Sequence, residues 1–512
     1  MARPFSAADP AASPKTPDFW RAQIKASQDK RQKYVEQWRG NIQRYLAKTL
    51  SETPKQDTIV VPLDYANTEQ KKALLFFKVP EVQLAPKRPQ YAGAVPVYQA
   101  VLNHYLGRHG VDARTMMHEA LFDAICPSGL AVTMIGYEPT VDGTKQIQSG
   151  TQPDPNAAPS VLGLSVPEVP VFADVPNVIH EAYFWVRVSP EKALIPADFH
   201  GSNYDIAPWL GVDFEIDHAV AKRRGWVRAD TPMSGDAQPT GLNESENQDS
   251  ASTRPKVKGT MVFYRMAHFD LGQPHPEAFG WCVLIDGQDD FAVKPSPSPW
   301  QKFVPDETGK LHVIGMKGNP IHIKGARYVS DSAYPPSDVM MARPQVEELS
   351  KGRTQMIQQR DRNVPLRWYN KSVDVDSIKK IERGELQSLI GVDGNGNDLL
   401  GIISTGQLPR ENFEFDKIIK QDLASIWRLG ANQRAQEDEN TKTATEASIM
   451  QSASDVALAY EQDHWLDWFV RGAEKVGGLI QLFADDPDYV EIVGDDGLPM
   501  LQQWDKTTIA GE

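Results

Sequence analysis

The sequence predicts an α+β chain, and three observations predict it. Long stretches towards both ends repeat apolar residues at the spacing of an amphipathic helix. The middle, from about residue 130 to 330, offers short apolar runs separated by Pro, Gly and Ser. No internal repeat runs through either part, which argues against a solenoid. The chain has 512 residues, 40% hydrophobic and 24% charged, an ordinary soluble composition with room for two to four domains.

Residues 1–17 are rich in Pro, Ala and Ser and read as a disordered tail. Asp18 is placed to cap a helix from Phe19 to Lys48, whose Trp20, Ile24, Tyr34, Trp38, Ile42 and Tyr45 make an aromatic stripe. Seven Lys and Arg lie between Arg21 and Arg44 against two acids. Packing on a neighbouring domain or subunit explains that helix better than a DNA or membrane contact. Further helices are expected from Asp64 to Phe77, from Ala94 to Leu106, and from Asp112 to Ile125, the last with Asp112 as N-cap.

Pro127 to Gly129 break the pattern, and Leu130 to Glu138 reads as a strand. From Pro139 to Val178 the chain is rich in Pro, Gly and Ser, which predicts a long surface loop. Strands are expected from Ala182 to Val188, Met261 to Phe269 and Trp281 to Ile285, with a short helix from Ile216 to Gly225. A polar linker runs from Arg228 to Lys256.

Beyond Ser332 the pattern is helical to Asn363, with Pro344 a start or kink and Pro365 a stop. A compact insert from Leu366 to Asn412 holds strand-like pieces and the turn Gly391 to Asn397. Phe415 to Arg434 is helical again. Its Phe415, Ile419, Leu423 and Ile426 face one way, and Lys417, Lys420, Gln421, Ala424, Arg428 and Ala431 lie largely on the other side. After the charged loop from Gln436 to Lys442, Thr443 and Glu446 form a capping box that opens a third helix. There Ile449, Ala453, Val456 and Tyr460 mark a buried stripe, and Ala447, Ala453 and Ala457 permit close approach. Trp465, Trp468 and Phe469 extend the hydrophobic end. Gln503 to Glu512 reads as the start of another strand.

Charge and cysteine usage narrow the function. A net charge of −14 argues against a protein that coats nucleic acid by neutralising phosphates, though not against one through which DNA slides. Two cysteines, Cys126 and Cys282, are too few for a disulfide scaffold and fit a reducing cytoplasm. The first ten residues lack the apolar core of a signal peptide, and no run approaches the roughly 20 apolar residues of a membrane span.

The common catalytic motifs are missing. Val304 stands where the leading glycine of a phosphate loop ending at Gly309 and Lys310 belongs. His118-Glu119 has no second histidine in register for a zinc protease, and no Gly-x-Ser-x-Gly elbow occurs. The turn from Asp393 through Asn395 and Asn397 has acids and amides where a calcium loop has them. However, Asp398 replaces the required glycine and Ser404 the bidentate glutamate, so a hairpin turn is the better reading. No enzyme and no cofactor is expected.

The order helix, insert, helix, loop, long helix over 334–486 resembles the stem, clip, stem, tunnel loop and crossing helix of tailed-bacteriophage portal proteins. Two phrases reinforce it: Val60 to Pro86, where a helix leads into a Pro-flanked strand, and Asp123 to Tyr137. The resemblance implies a portal fold with a mixed α/β wing (18–331 with 443–512), a two-helix stem (332–364 and 413–435), a small α/β clip (365–412) and a tunnel loop (436–442) before the crossing helix. No crown is assigned. It further implies a dodecameric ring at one capsid vertex of the virion, assembled in the host cytoplasm, that conducts double-stranded DNA without sequence preference.

Implied partners are the terminase large subunit, head–tail adaptor proteins, and the major capsid and scaffolding proteins, with no membrane. Lys417, Lys420, Arg428, Glu437, Asp438, Glu439 and Lys442 become candidates to face the DNA, and Asp393, Asn395 and Asn397 candidates for motor or adaptor docking. Another virion component, such as a scaffold or tail hub, and a nuclease with an unrecognised carboxylate site remain as alternatives.

Overall fold

The computed structural model describes residues 13–47, 59–76, 78–86, 89, 92–153, 168–227, 255–269, 275–305, 311–362, 366–369, 376, 379, 400–403, 411–429, 444–484, 488–493, 499–505 and 509. It is α+β, and it divides into two compact units. The first takes 1–42, 71–337 and 456–512, and the second takes 43–70 and 338–455. Residues 43–70 thus group with the helices beyond 338 rather than with the rest of 18–331.

Helix α1 (Pro17–Tyr45) starts at a proline, whose missing N–H costs nothing in a first turn. Asp18 therefore lies within that turn and is not the cap. The stretch just before it is ordered: Thr16 N–H donates to the Ser13 carbonyl at 3.0 Å, and the Trp20 indole donates to the Pro14 carbonyl at 2.8 Å. Residues 1–12 lie outside the described residues. The helix ends three residues earlier than expected, and Ala47 turns the chain at φ 53°.

Its bases are used in packing. Arg31 donates to the Ala193 carbonyl at 3.2 Å and pairs with Asp213 at 3.0 Å, and Arg39 pairs with Glu191 at 2.5 Å. Helices α2 (Leu63–Leu75), α3 (Val95–Leu106) and α4 (Ala113–Ile125) follow. Asp112 occupies the N-cap position of α4 at φ 44°. Its carboxylate accepts from the Thr115 hydroxyl at 2.7 Å and not from the helix backbone.

Strand β1 (Leu130–Tyr137) is the centre of a three-stranded antiparallel sheet, with β4 (Tyr183–Arg187) on one side and β12 (Ile321–Gly325) on the other. Between β1 and β4 the expected surface loop is instead a hairpin of β2 (Thr140–Pro153) and β3 (Glu168–His180). Its Pro and Gly read as breakers. A two-stranded ribbon tolerates them, because both strands have an open edge and the register slips at three places.

A five-stranded antiparallel sheet runs β5-β6-β7-β8-β9 through Ala193–Leu194, Trp209–Asp217, Lys256–Arg265, Phe279–Ile285 and Val293–Pro297. The strand expected from Met261 to Phe269 stops at Arg265, and Met266–Phe269 is a short helix, α6. The helix expected from Ile216 is α5 (His218–Arg223), because β6 claims Ile216 and Asp217. Two hairpins complete the unit, β10 (Gln301–Pro305) with β11 (Leu311–Gly315), and β15 (Asp488–Val493) with β16 (Pro499–Trp504). Neighbours Phe263 and Tyr264 on β7 feed different hydrophobic clusters, as strand alternation requires. Trp38 of α1 joins the Phe263 cluster and Trp20 joins the Tyr264 cluster. Cys126 and Cys282 are both buried, and neither forms a disulfide among the described residues.

The second unit contains α7 (Asp338–Arg362), the paired strands β13 (Leu366–Tyr369) and β14 (Leu400–Ile403), and α8 (Glu411–Trp427). Helix α9 (Ala444–Phe483) runs 40 residues. Thr443 lies outside the described residues, as does the Glu446 side chain. From Trp465 onward α9 is packed into the first unit. A Cβ at Gly472 would overlap the Trp185 ring, and one at Gly478 would overlap the Gly315 carbonyl. Glycine is required at both positions for the approach.

Beside them sits the fully buried Lys475. Its Nζ meets Asp205 Oδ1 at 3.2 Å, the Asn319 carbonyl at 3.0 Å and His322 Nδ1 at 3.2 Å. Three acceptors for three N–H donors is the geometry of a protonated lysine. His322 Nε2 lies 2.8 Å from the Trp468 carbonyl and must donate to it, so His322 is the neutral Nε2–H tautomer. Burial and then the Lys475 charge push that imidazole down to about 3. Burial also draws the Lys475 ammonium below its ordinary value, with Asp205 opposing. The Asp205 carboxyl is raised by burial but more strongly lowered by Lys475 and Arg471, and ends below its usual range.

Replacing Lys475 by Met strands the Asn319 carbonyl and removes the nearer of the two cations that face Asp205. Asp205 is partly exposed and regains water, so the expected loss is about 2–4 kcal/mol, towards the lower end for a broken buried pair. Urea unfolding followed by circular dichroism checks this; a loss under about 0.5 kcal/mol would show the network to be idle.

Candidate functional site

The residues singled out for function concentrate on the helices and loops of the second unit. Helix α7 buries Val339, Ala342, Val346 and Leu349, at spacings of three, four and three. Helix α8 buries Ile419, Leu423 and Trp427, each four apart, and packs on α7. Arg353, late in α7, reaches Asp416, early in α8, at 3.7 Å, as in an antiparallel pair. Pro344 sits on the exposed side within α7, which continues past it.

The middle of α7 is tied to the segment before α2. Ile59 N–H donates to Thr354 Oγ1 at 3.1 Å, and Val61 N–H to Ser350 Oγ at 3.4 Å. Glu347 accepts from Arg44 and Arg343, both at 2.9 Å.

Asp64 opens α2 beside these charges and is buried. Among the described residues, no group hydrogen-bonds its Oδ1 or the Thr68 hydroxyl. Burial pushes the Asp64 carboxyl up to about 6, with Arg44 opposing and Glu347 adding. Sequence periodicity could not have found this residue, because the groups that perturb it come from Arg44 and, nearly three hundred positions away, Glu347.

The candidate channel residues fall in two groups. Lys417 and Lys420 are exposed on α8, as is Gln421. Arg428 is exposed too, but the helix ends at Trp427, and Arg428 turns the chain at φ 55° instead of extending the stripe. The expected continuation to Arg434 stops because a left-handed residue terminates a helix. Glu437, Asp438, Glu439 and Lys442 lie outside the described residues, as do Asp393, Asn395, Asn397 and the turn from Gly391.

The apolar stripes also need correction. Phe415 is 58% exposed, and its neighbour Ile418 is 51% exposed. Ile419, Leu423 and Trp427 fill the buried side, leaving Phe415 beyond the contact with α7. On α9, Val456 and Tyr460 are 70% and 62% exposed, so they do not belong to a buried stripe. The side chains of Ala447, Ile449, Ala453 and Ala457 lie outside the described residues. Among the described side chains of α9 burial begins at Trp465, and Trp468 and Phe469 are buried as expected.

The exposed side of α8 is mixed in charge, with Glu414 and Asp422 beside Lys417 and Lys420. Such a surface holds a polyanion weakly, since strong binding needs many phosphates neutralised together. Among the described residues no group of three or more His, Cys, Asp or Glu could hold a metal ion, and no helix is long and apolar enough to cross a membrane. No known protein family model matches the chain, and no curated protein sequence matches it.

The raised value at Asp64 has a definite sign. The folded state holds that proton more tightly than the unfolded chain. Its stabilising contribution is therefore full below about pH 4 and lost as the pH climbs through about 6. Asp64→Asn should raise stability at pH 8 by on the order of 2 kcal/mol and change little at pH 4. Hydrogen exchange across α2 and α7 at the two pH values reads this out; equal effects at both would show that Asp64 keeps its ordinary value.

Proposed function

We propose that the chain is the subunit of a portal ring, the channel at one capsid vertex through which double-stranded viral DNA is packaged and ejected. One observation carries the reading: α7, the β13–β14 insert, α8 packed back on α7, and then a 40-residue helix, in that order. Read this way, α7 and α8 are the stem, the insert is the clip and α9 is the crossing helix. The clip is where a terminase large subunit and head–tail adaptors dock, and the wing meets the capsid and scaffolding proteins.

Exposed apolar groups support the assembly. Phe415, Ile418, Val456 and Tyr460 face solvent in the isolated chain, and burial of such side chains is the main gain when subunits associate. A closed ring needs a head-to-tail interface with two different faces, which helices with one buried and one open apolar stripe can provide.

Electron microscopy and light scattering of the purified chain test the reading. Twelvefold rings with a central hole are expected; a stable monomer at micromolar concentration, or turnover of DNA by that monomer, overturns it. Replacing Phe415 and Ile418 together by Ser should leave the thermal midpoint of the subunit within about 2 °C, because exposed positions carry little fold stability, yet abolish the ring. Alanine at Lys417, Lys420 and Arg428 should keep the ring and lower the amount of DNA packaged or retained, without changing which DNA enters.

A further inference from the structure

The first unit contains an aromatic cleft of about 410 Å³, set among the end of β1, strands β7 and β8, and the end of α9. That volume is in the range of small-molecule sites. Trp226, Trp281 and Trp300 line it together with Met134 and Met261. Two of the indoles are held before any guest arrives. Trp300 stacks on Phe263 with centroids 5.8 Å apart and donates its Nε1–H to the Tyr137 carbonyl at 3.1 Å. Trp226 packs on Phe214 at 5.6 Å and carries the Arg224 guanidinium over its ring at 5.0 Å.

Arg224 also pairs with Glu138, and both residues line the cleft. This pair is the polar feature that decides the guest. An anion would meet the Glu138 carboxylate, and a cation would meet the Arg224 guanidinium. Either has to break the pair to use one half of it. An uncharged polar edge can instead accept from Arg224 and donate to Glu138 while both stay paired. Flat indole faces favour planar rings over a flexible chain, because offset stacking and edge contacts add to area burial.

We propose that this cleft binds a planar, uncharged aromatic molecule, stacked on the indoles with its polar edge at the Arg224–Glu138 pair. The site is separate from the residues assigned to assembly and DNA passage, so it stands or falls independently of that reading.

Two fluorescent probes with the same rings test it on the full chain. 2-Naphthol is planar and neutral, with a hydroxyl that can both accept and donate, and its 6-sulfonate analogue adds one negative charge. The neutral probe should bind saturably, one per chain, quench tryptophan emission, and bind about tenfold more tightly than the sulfonate. Glu138→Gln releases Arg224 to the sulfonate and should close that gap. Trp281→Leu should weaken the neutral probe by about tenfold. If Trp281→Leu does not fold, the Glu138→Gln comparison decides alone, since that side chain is mostly exposed. Failure of the neutral probe to saturate, equal or tighter binding of the sulfonate to the unmodified chain, or an unchanged ratio in Glu138→Gln would each overturn the proposal.

Discussion

The buried ammonium of Lys475 is the interaction on which the placement of the long helix depends. A 40-residue helix has no intrinsic reason to stop against a sheet at one particular rotation. Packing of Trp465, Trp468 and Phe469 fixes which side faces inward, but apolar contact is non-directional and tolerates sliding. The lysine removes that freedom. It demands three acceptors, and they come from three separate places: Asp205, the Asn319 carbonyl and His322. A shift of one residue, about 1.5 Å along the helix axis, would break all three bonds. Gly472 and Gly478 serve the same end, letting Trp185 and the Gly315 carbonyl come close enough for the network to form.

Two other buried carboxyls show why such satisfaction matters. Asp123 is entirely buried, and Arg187 meets both its oxygens, at 2.5 and 2.9 Å. Even so, burial pushes it up to about 6 against that hydrogen bond and charge. Asp64 reaches about the same value with an orphaned oxygen. Asp205 is partly open to water and faces two cations, and it moves the other way. A single cation does not overcome desolvation at Asp123 or Asp64, whereas the cations converging on Asp205 together outweigh it. The first unit thus keeps Lys475 and Asp205 charged around a neutral His322, while burial holds the carboxyls of Asp64 and Asp123 above their usual range.

How much of this was legible in the sequence depends on the range of the causes. Helix ends with a local cause were readable almost to the residue, as with Ala113–Ile125, where the break at Pro127 to Gly129 fixes the end, and Asp338–Arg362, whose end precedes Pro365 although its start lies beyond the expected Ser332. The β2–β3 hairpin was hidden because its pairing is non-local and its Pro and Gly mimic a loop. Burial on α9 was misjudged for a related reason. The 3.6-residue period through Val456 and Tyr460 is real, but a period says which residues share a face and not whether anything covers it. The exposed bases Lys417 and Lys420 could be read, whereas the Lys475 network could not, since its members lie up to 270 positions apart.

In the proposed ring, spacing along α8 determines how DNA would sense these bases. Lys417 and Lys420 are separated by about 4.5 Å of helix rise, well inside the Debye length of about 8 Å at physiological salt. Repeated by symmetry they act as one positive band. Arg428 lies on the order of 12 Å beyond Lys420, more than that length, and acts as a separate ring. The exposed Asp422 falls between the two and lowers the potential in the gap. A polyanion passing such a wall meets two shallow attractive zones divided by a weakly repulsive one. That profile steadies the strand without a continuous well to hold it, and raising the salt should flatten both zones together, so that any retention lost on mutating the bases is lost more completely at low ionic strength than at high.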